Sequence, residues 1–177
     1  MLLALVLCGG ESRRMGHDKG LLLKEGIPWA LHIGNLAGAM KIPVIYSINK
    51  TQEAAYREIL PANQLMIDEL DLPGPLNGLF SYHRRWDNTD ILLLACDMLD
   101  LDTGTIQQLL AVYPTIDADY IAYGDEQFYQ PFCCIYKARG LQKIAQPPPS
   151  LQALLKAGET HRLAIPNSSA FNNYNTP

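Results

Sequence analysis

The stretch Leu7-Cys8-Gly9-Gly10-Glu11-Ser12-Arg13-Arg14-Met15-Gly16-His17-Asp18-Lys19 gathers most of the chain's chemistry near its N-terminus. Gly9 and Gly10 let the backbone turn sharply and approach an anion with no Cβ in the way. Successive backbone N–H groups in such a turn can form a nest for phosphate oxygens. Arg13, Arg14 and Lys19 supply cations for a triphosphate, and Gly16 adds a second flexible point. The Gly-Lys-Ser/Thr ending of a P-loop is missing, and so is the Gly-x-Gly-x-x-Gly dinucleotide pattern. The competing reading is an ordinary β–α turn with solvated charges. Two glycines and four potential cations, counting His17, within so short a segment favour the anion site.

This loop must be held by elements that the apolar pattern reveals. Leu2 to Cys8 is a continuous apolar run, as expected of a strand covered on both faces. From Pro28 to Met40, Trp29, Ile33, Leu36, Ala37 and Met40 follow helical spacing, with Pro28 suited to the first turn. Val44 to Ile48 and Gln64 to Ile67 read as strands, and Pro75 to Arg84 as a helix. Ile91 to Cys96 is the most strand-like segment of all, six apolar residues running straight into Asp97. Asp102 then caps a helix carrying Ile106, Leu109, Leu110 and Tyr113. Tyr120 to Tyr123 and Phe128 to Tyr136 suggest strands, one of them antiparallel. Leu151 to Ala157 is a short helix, with a strand near Leu163 to Ile165.

Alternating strands and helices imply the α/β class: a single-domain, three-layer α/β/α sandwich around a mostly parallel, Rossmann-like sheet spanning residues 1–177. Ligands of such sheets bind at the carboxyl ends of the strands. That edge collects the loop after Cys8, together with Asn49, Asp68 and Asp97. A carboxylate ending a buried strand, as Asp97 does, needs a cation or hydrogen-bond donors beside it.

The 177 residues, 48% hydrophobic and 18% charged, suit one sizeable core. No apolar run is long enough to span a membrane. The first residues lack the basic flank and cleavage site of a secretory leader, so a cytoplasmic location is expected. Cysteines 8, 96, 133 and 134 show no zinc spacing and read as buried free thiols. A net charge of −4 argues against a nucleic-acid-binding face, which makes the basic N-terminal loop a local device. His17, His32, His83 and His161 show no metal-ligand spacing.

The loop resembles the Leu-x-Gly-Gly-x-Ser-x-Arg-Met-Gly-x-Asp-Lys motif of the molybdenum cofactor guanylyltransferases, with Cys8 where alanine is usual. Pro73-Gly74-Pro75-Leu76-Asn77-Gly78-Leu79, Cys96-Asp97 and the ending Asn173-Tyr174-Asn175-Thr176-Pro177 extend the likeness along the chain. The resemblance implies a fold of the nucleotide-diphospho-sugar transferase type. It implies GTP and molybdopterin as substrates, transfer of GMP onto molybdopterin, and release of pyrophosphate. Asp97 would hold Mg²⁺, and Lys19 and Arg13 would act on the phosphates. Leu7, Cys8, Gly9, Gly10, Asn49 and Asp68 would line the nucleotide site, Gly74 and Gly78 the base pocket. Asn173 and Asn175 would face the pterin, and Arg162 offers a cation for the acceptor phosphate. Met98-Leu99 replaces the family's small residue and proline after the aspartate, which leaves a second metal ligand open. Transfer of another nucleotide such as CMP, a different phosphate acceptor, and a non-catalytic nucleotide-binding partner are the alternatives. Transient contact with other cofactor-biosynthesis or acceptor enzymes is a further expectation.

Overall fold

The computed structural model describes residues 1–9 and 18–174. Gly10, Arg13 and Asn175 lie outside the described residues, as do Arg14, Gly16 and His17. Seven strands form the main sheet: β1 (Leu2–Leu7), β4 (Val44–Ile48), β5 (Leu65–Ile67), β6 (Asp90–Ala95), β7 (Tyr120–Tyr123), β8 (Cys134–Tyr136) and β9 (Thr160–Leu163). Their spatial order is β5-β4-β1-β6-β8-β7-β9. β1 pairs parallel with β4 and β6, and β4 with β5. β8 runs antiparallel to both β6 and β7, and β7 pairs parallel with β9. A separate hairpin joins β2 (Leu23–Lys24) to β3 (Ile27–Pro28) through Glu25 and Gly26, both at positive φ.

The side-chain alternation of the central strands explains the three layers. Ala4 and Val6 of β1, with Leu92 and Leu94 of β6, face α1 (Trp29–Ala39), α2 (Glu53–Arg57) and α4 (Thr103–Val112). Leu3 and Leu5, with Ile91 and Leu93, face α3 (Pro75–Arg85), α5 (Ala138–Gln142) and α6 (Leu151–Ala157). Both faces are apolar because helices cover both, which is why these strands read as unbroken runs.

Asp102 caps α4 as expected, its Oδ1 accepting from the Thr105 N–H at 2.7 Å. Three expectations need correction. Pro28 is the residue before α1, with extended backbone (ψ 137°), because it closes the hairpin opposite Leu23. Of Phe128 to Tyr136 only Cys134–Tyr136 is strand. Asp125 folds the segment before it, accepting from the N–H groups of Gln127 and Phe128, and Pro131 has no N–H for a ladder. The last strand is Thr160–Leu163, not Leu163 to Ile165, since its partner β7 ends at Tyr123, the residue paired with Leu163.

Candidate active site

The chain leaves β1 for β4 on one side and, after β5, returns to β6 on the other. The order of connection therefore reverses between β1 and β6, and a crevice opens beyond their carboxyl ends. Leu7 lies in register with Ala95, and the Cys96 N–H donates to the Leu7 carbonyl at 3.1 Å. Gly9 and Asp97 are thereby carried to the two lips of the crevice.

Lys19 begins a short 3₁₀ turn, Lys19–Leu21, and its Nζ reaches Asp97 Oδ2 at 3.0 Å. Both side chains are about four-fifths shielded, so the pair is poorly screened by water. An ammonium and a carboxylate in contact at this point are what a metal-bound triphosphate requires, one group for the phosphates and one for the cation. Among the described residues no group of three or more His, Cys, Asp or Glu side chains could hold a metal by itself. One carboxylate is still a fitting donor set for Mg²⁺, which keeps several waters and takes its other ligands from substrate phosphates.

Asp18, whose role the sequence pattern does not reveal, anchors the base of the loop. Its carboxylate accepts from the Gly20 N–H at 3.0 Å, the Tyr56 hydroxyl at 3.1 Å and Gln52 Nε2 at 2.6 Å. Gln52 Nε2 also donates to the Cys8 carbonyl at 3.0 Å, and its Oε1 accepts from the Asn49 N–H at 2.8 Å. One side chain thus ties the ends of β1 and β4 to the residue preceding Lys19. The signal was present as Asn49-x-x-Gln52 directly after a strand, the pattern of a capping box. Asn49 fills that cap: its Oδ1 accepts from the N–H groups of Thr51 and Gln52, at 3.0 and 3.2 Å.

Asp68 follows β5, and its Oδ1 accepts from the Ser47 hydroxyl at 2.5 Å. Burial raises its carboxyl to about 6, partly opposed by the Ser47 hydrogen bond. A Cβ on Gly9 would lie 2.8 Å from Asp68 Oδ2, so only glycine lets the loop and this carboxylate come so close. Gly78 plays the same part from α3, where a Cβ would meet Ser47 Oγ at 2.4 Å and Leu7 Cδ2 at 2.6 Å. Gly74 precedes α3 at φ 55°. Burial and the neighbouring Cys96 push the Cys8 thiol well up, which leaves it protonated and unsuited to nucleophilic attack.

Asn173 is exposed, and its neighbours hold the tail: the Tyr174 N–H donates to the Asp97 carbonyl at 2.9 Å. The Tyr174 hydroxyl and Asn172 Nδ2 donate to Asp100 Oδ2 at 2.7 and 3.3 Å. Arg162 is not brought to the Lys19–Asp97 pair. It lies on β9, three strands from β6, or roughly 14 Å at about 4.8 Å per strand, and stacks on Tyr129 at 4.8 Å.

A doubly wound sheet with a glycine turn, a lysine and a buried-edge carboxylate at its switch point defines an α/β protein of the nucleotidyltransferase class. The sequence matches the family described as the MobA-like NTP transferase domain over residues 4–163, and the chain belongs to that family. It is 33% identical to the molybdenum cofactor guanylyltransferase of Pseudomonas entomophila, over 98% of this chain and 93% of that protein. It is 31% identical to the probable molybdenum cofactor guanylyltransferase of Trichormus variabilis, over 99% of this chain and 87% of that one. The fold matches that of molybdopterin-guanine dinucleotide biosynthesis protein A from Archaeoglobus fulgidus with a TM-score of 0.77 at 16% identity, covering 100% and 93% of the two chains.

Proposed function

We propose that this chain transfers GMP from GTP to the terminal phosphate of molybdopterin, giving molybdopterin guanine dinucleotide and pyrophosphate. The observation that carries the reading is the Lys19–Asp97 contact beside the carboxyl ends of β1 and β6, the switch point at which sheets of this kind bind their ligands. The near full-length likeness to guanylyltransferases supports the choice of guanine and of the pterin. An acceptor phosphate oxygen attacks the α-phosphorus in line. The bond from that phosphorus to the bridging oxygen breaks, and pyrophosphate leaves with the electron pair. The acceptor is already anionic, so positioning and charge neutralisation suffice and no covalent enzyme intermediate is required.

In this reading Asp97 holds Mg²⁺, which when bound neutralises charge on the triphosphate. Lys19, with Arg13, meets the outer phosphates, and Leu7, Cys8, Gly9 and Gly10 wrap them with backbone. Asn49 and Asp68 hold the nucleoside, while Asn173 and Asn175 serve the acceptor. One nucleotidyltransferase domain spans residues 1–177. Among the described residues no helix is long and apolar enough to cross a membrane. The four unpaired cysteines suit a reducing cytoplasm, where transient contact with enzymes that supply or accept the cofactor would occur.

The test is to incubate the protein with Mg²⁺, molybdopterin and each of GTP, CTP, ATP and UTP, following pyrophosphate and the dinucleotide by chromatography. Product is expected with GTP. Product with CTP alone replaces guanine by cytosine, and nucleotide binding without product leaves only a delivery role.

A further inference from the structure

Cys8 stands at the entry to the N-terminal loop and Asp18 at its exit, yet both are hydrogen-bonded to a single nitrogen atom. Gln52 Nε2 donates to the Cys8 carbonyl at 3.0 Å and to Asp18 Oδ2 at 2.6 Å. A primary amide nitrogen carries two protons, and these contacts use both. On the other side of the amide, Oε1 accepts from the Asn49 N–H at 2.8 Å, so the neighbours fix which end is nitrogen. The donors of Gln52 are spent on the protein. Any effect of this side chain on a nucleotide is passed through the groups it holds.

Those groups lead to Lys19. Asp18 precedes the 3₁₀ turn Lys19–Leu21 and caps it, its Oδ1 accepting from the Gly20 N–H at 3.0 Å. The same oxygen accepts at 3.1 Å from the hydroxyl of Tyr56, a fully buried residue of α2. A Cβ on Gly20 would lie 2.1 Å from that hydroxyl, so the turn packs against Tyr56 only because residue 20 is glycine. Oδ1 thus serves the turn and α2, and Oδ2 serves Gln52. From this base the Lys19 ammonium reaches Asp97 Oδ2 at 3.0 Å. Lysine carries its charge on a flexible four-carbon stem, and such a stem delivers the charge accurately only from a fixed root. The cap of Asn49 would need only the Oε1 contact. The two bonds from Nε2 do something further, since they join the chain entering the loop to the chain leaving it.

We propose that Gln52 is a positioning residue for nucleotidyl transfer, clasping Cys8 to Asp18 so that Lys19 meets the outer phosphates from a fixed root. The proposal rests on the guanylyl-transfer reading for the part played by Lys19, so ligand binding and turnover are measured separately.

Wild type, Gln52→Glu, Asp18→Asn and the double variant are compared in calorimetric Kd for GTP and GMP, in kcat and KM with molybdopterin, and in thermal midpoint. Gln52→Glu keeps the length and the acceptor for Asn49, but sets a carboxylate against Asp18 and the Cys8 carbonyl. Kd for GTP should rise by about 10- to 100-fold, the value of a charge-assisted bond, and kcat should fall. Kd for GMP and KM for molybdopterin should move by less than about threefold, because neither ligand carries the outer phosphates. Asp18→Asn retains Oδ1 for Gly20 and Tyr56 but turns an N–H₂ group toward Gln52 Nε2, so it should also weaken GTP. In the double variant donor and acceptor are exchanged across the same contact, and GTP affinity should recover by about tenfold over Gln52→Glu. Gln52→Met removes the donors without adding charge and should show the same preference for loss of GTP over GMP; it supplies the comparison if the glutamate variant does not fold. Equal losses for GTP and GMP with a lowered midpoint make Gln52 a structural residue only and overturn the proposal. A double variant that binds GTP no better than the weaker single variant overturns it too. A wild type that forms no dinucleotide, while its variants show the GTP-selective loss and the recovery, overturns guanylyl transfer and leaves the clasp standing.

Discussion

Replacing Asp68 with asparagine should stabilise the fold while weakening GTP binding, and the stability gain should carry a pH signature. Burial raises the Asp68 carboxyl from an ordinary 3.8 to about 6, with the Ser47 hydrogen bond opposing the shift. The folded state therefore holds the proton more tightly than the unfolded chain. Wild-type stability from this group is complete below the unfolded value and is lost as pH rises through the folded one. At 1.36 kcal/mol per unit, the carboxylate costs the fold about 3 kcal/mol at pH 8, about 1.5 at pH 5 and about 0.5 at pH 4. Asparagine does not titrate, and its amide oxygen can still accept from the Ser47 hydroxyl. Its buried N–H₂ group carries a desolvation cost of about 1 kcal/mol at every pH. The net gain should thus be about 2 kcal/mol at pH 8 and should shrink by about 2.5 kcal/mol on going to pH 4. Urea denaturation of both proteins across that range measures it, with GTP affinity taken at pH 8 on the same samples. A stability difference that does not change with pH would refute the burial argument. An unchanged GTP affinity would remove Asp68 from the nucleotide site.

Asp97→Asn keeps shape and loses charge, so turnover in Mg²⁺ should fall by about a hundredfold or more with the thermal midpoint near wild type, and substantial residual turnover would falsify the assignment. Lys19→Ala should weaken GTP about ten- to a hundredfold and GMP much less, measured by calorimetry; equal losses would move the lysine off the outer phosphates. Gly78→Ala places a Cβ 2.4 Å from Ser47 Oγ and 2.6 Å from Leu7 Cδ2, and overpacking of about 1–3 kcal/mol should lower the midpoint by roughly 3–10 °C. A midpoint unchanged in a scanning experiment would show that the α3–β1 contact is loose.

Much of the scaffold was legible because it rests on local rules. The unbroken apolar runs of β1, β4 and β6 identify strands covered on both faces, and Asp102 identifies the start of α4. The alignment of Gly9, Asn49, Asp68 and Asp97 along one edge follows from each being the residue just after, or close after, a parallel strand. The β2–β3 hairpin is not legible in the sequence, since two-residue strands are too short to show a period of two.

By its own residues the chain determined its alternating elements, the glycine and cation loop at the end of its first strand, and hence its class of chemistry, because burial pattern, turn chemistry and charge are properties of neighbours along the chain. The tertiary structure alone decided the insertion of antiparallel β8 between β6 and β7, the contact of Lys19 with Asp97, and the meeting of Asp100 with Tyr174. Those residues stand 78 positions apart in the ion pair and 74 in the Asp100–Tyr174 hydrogen bond. A repeating pattern records only that a side chain is buried or exposed, while its partner is chosen by strand order and packing across the whole sheet.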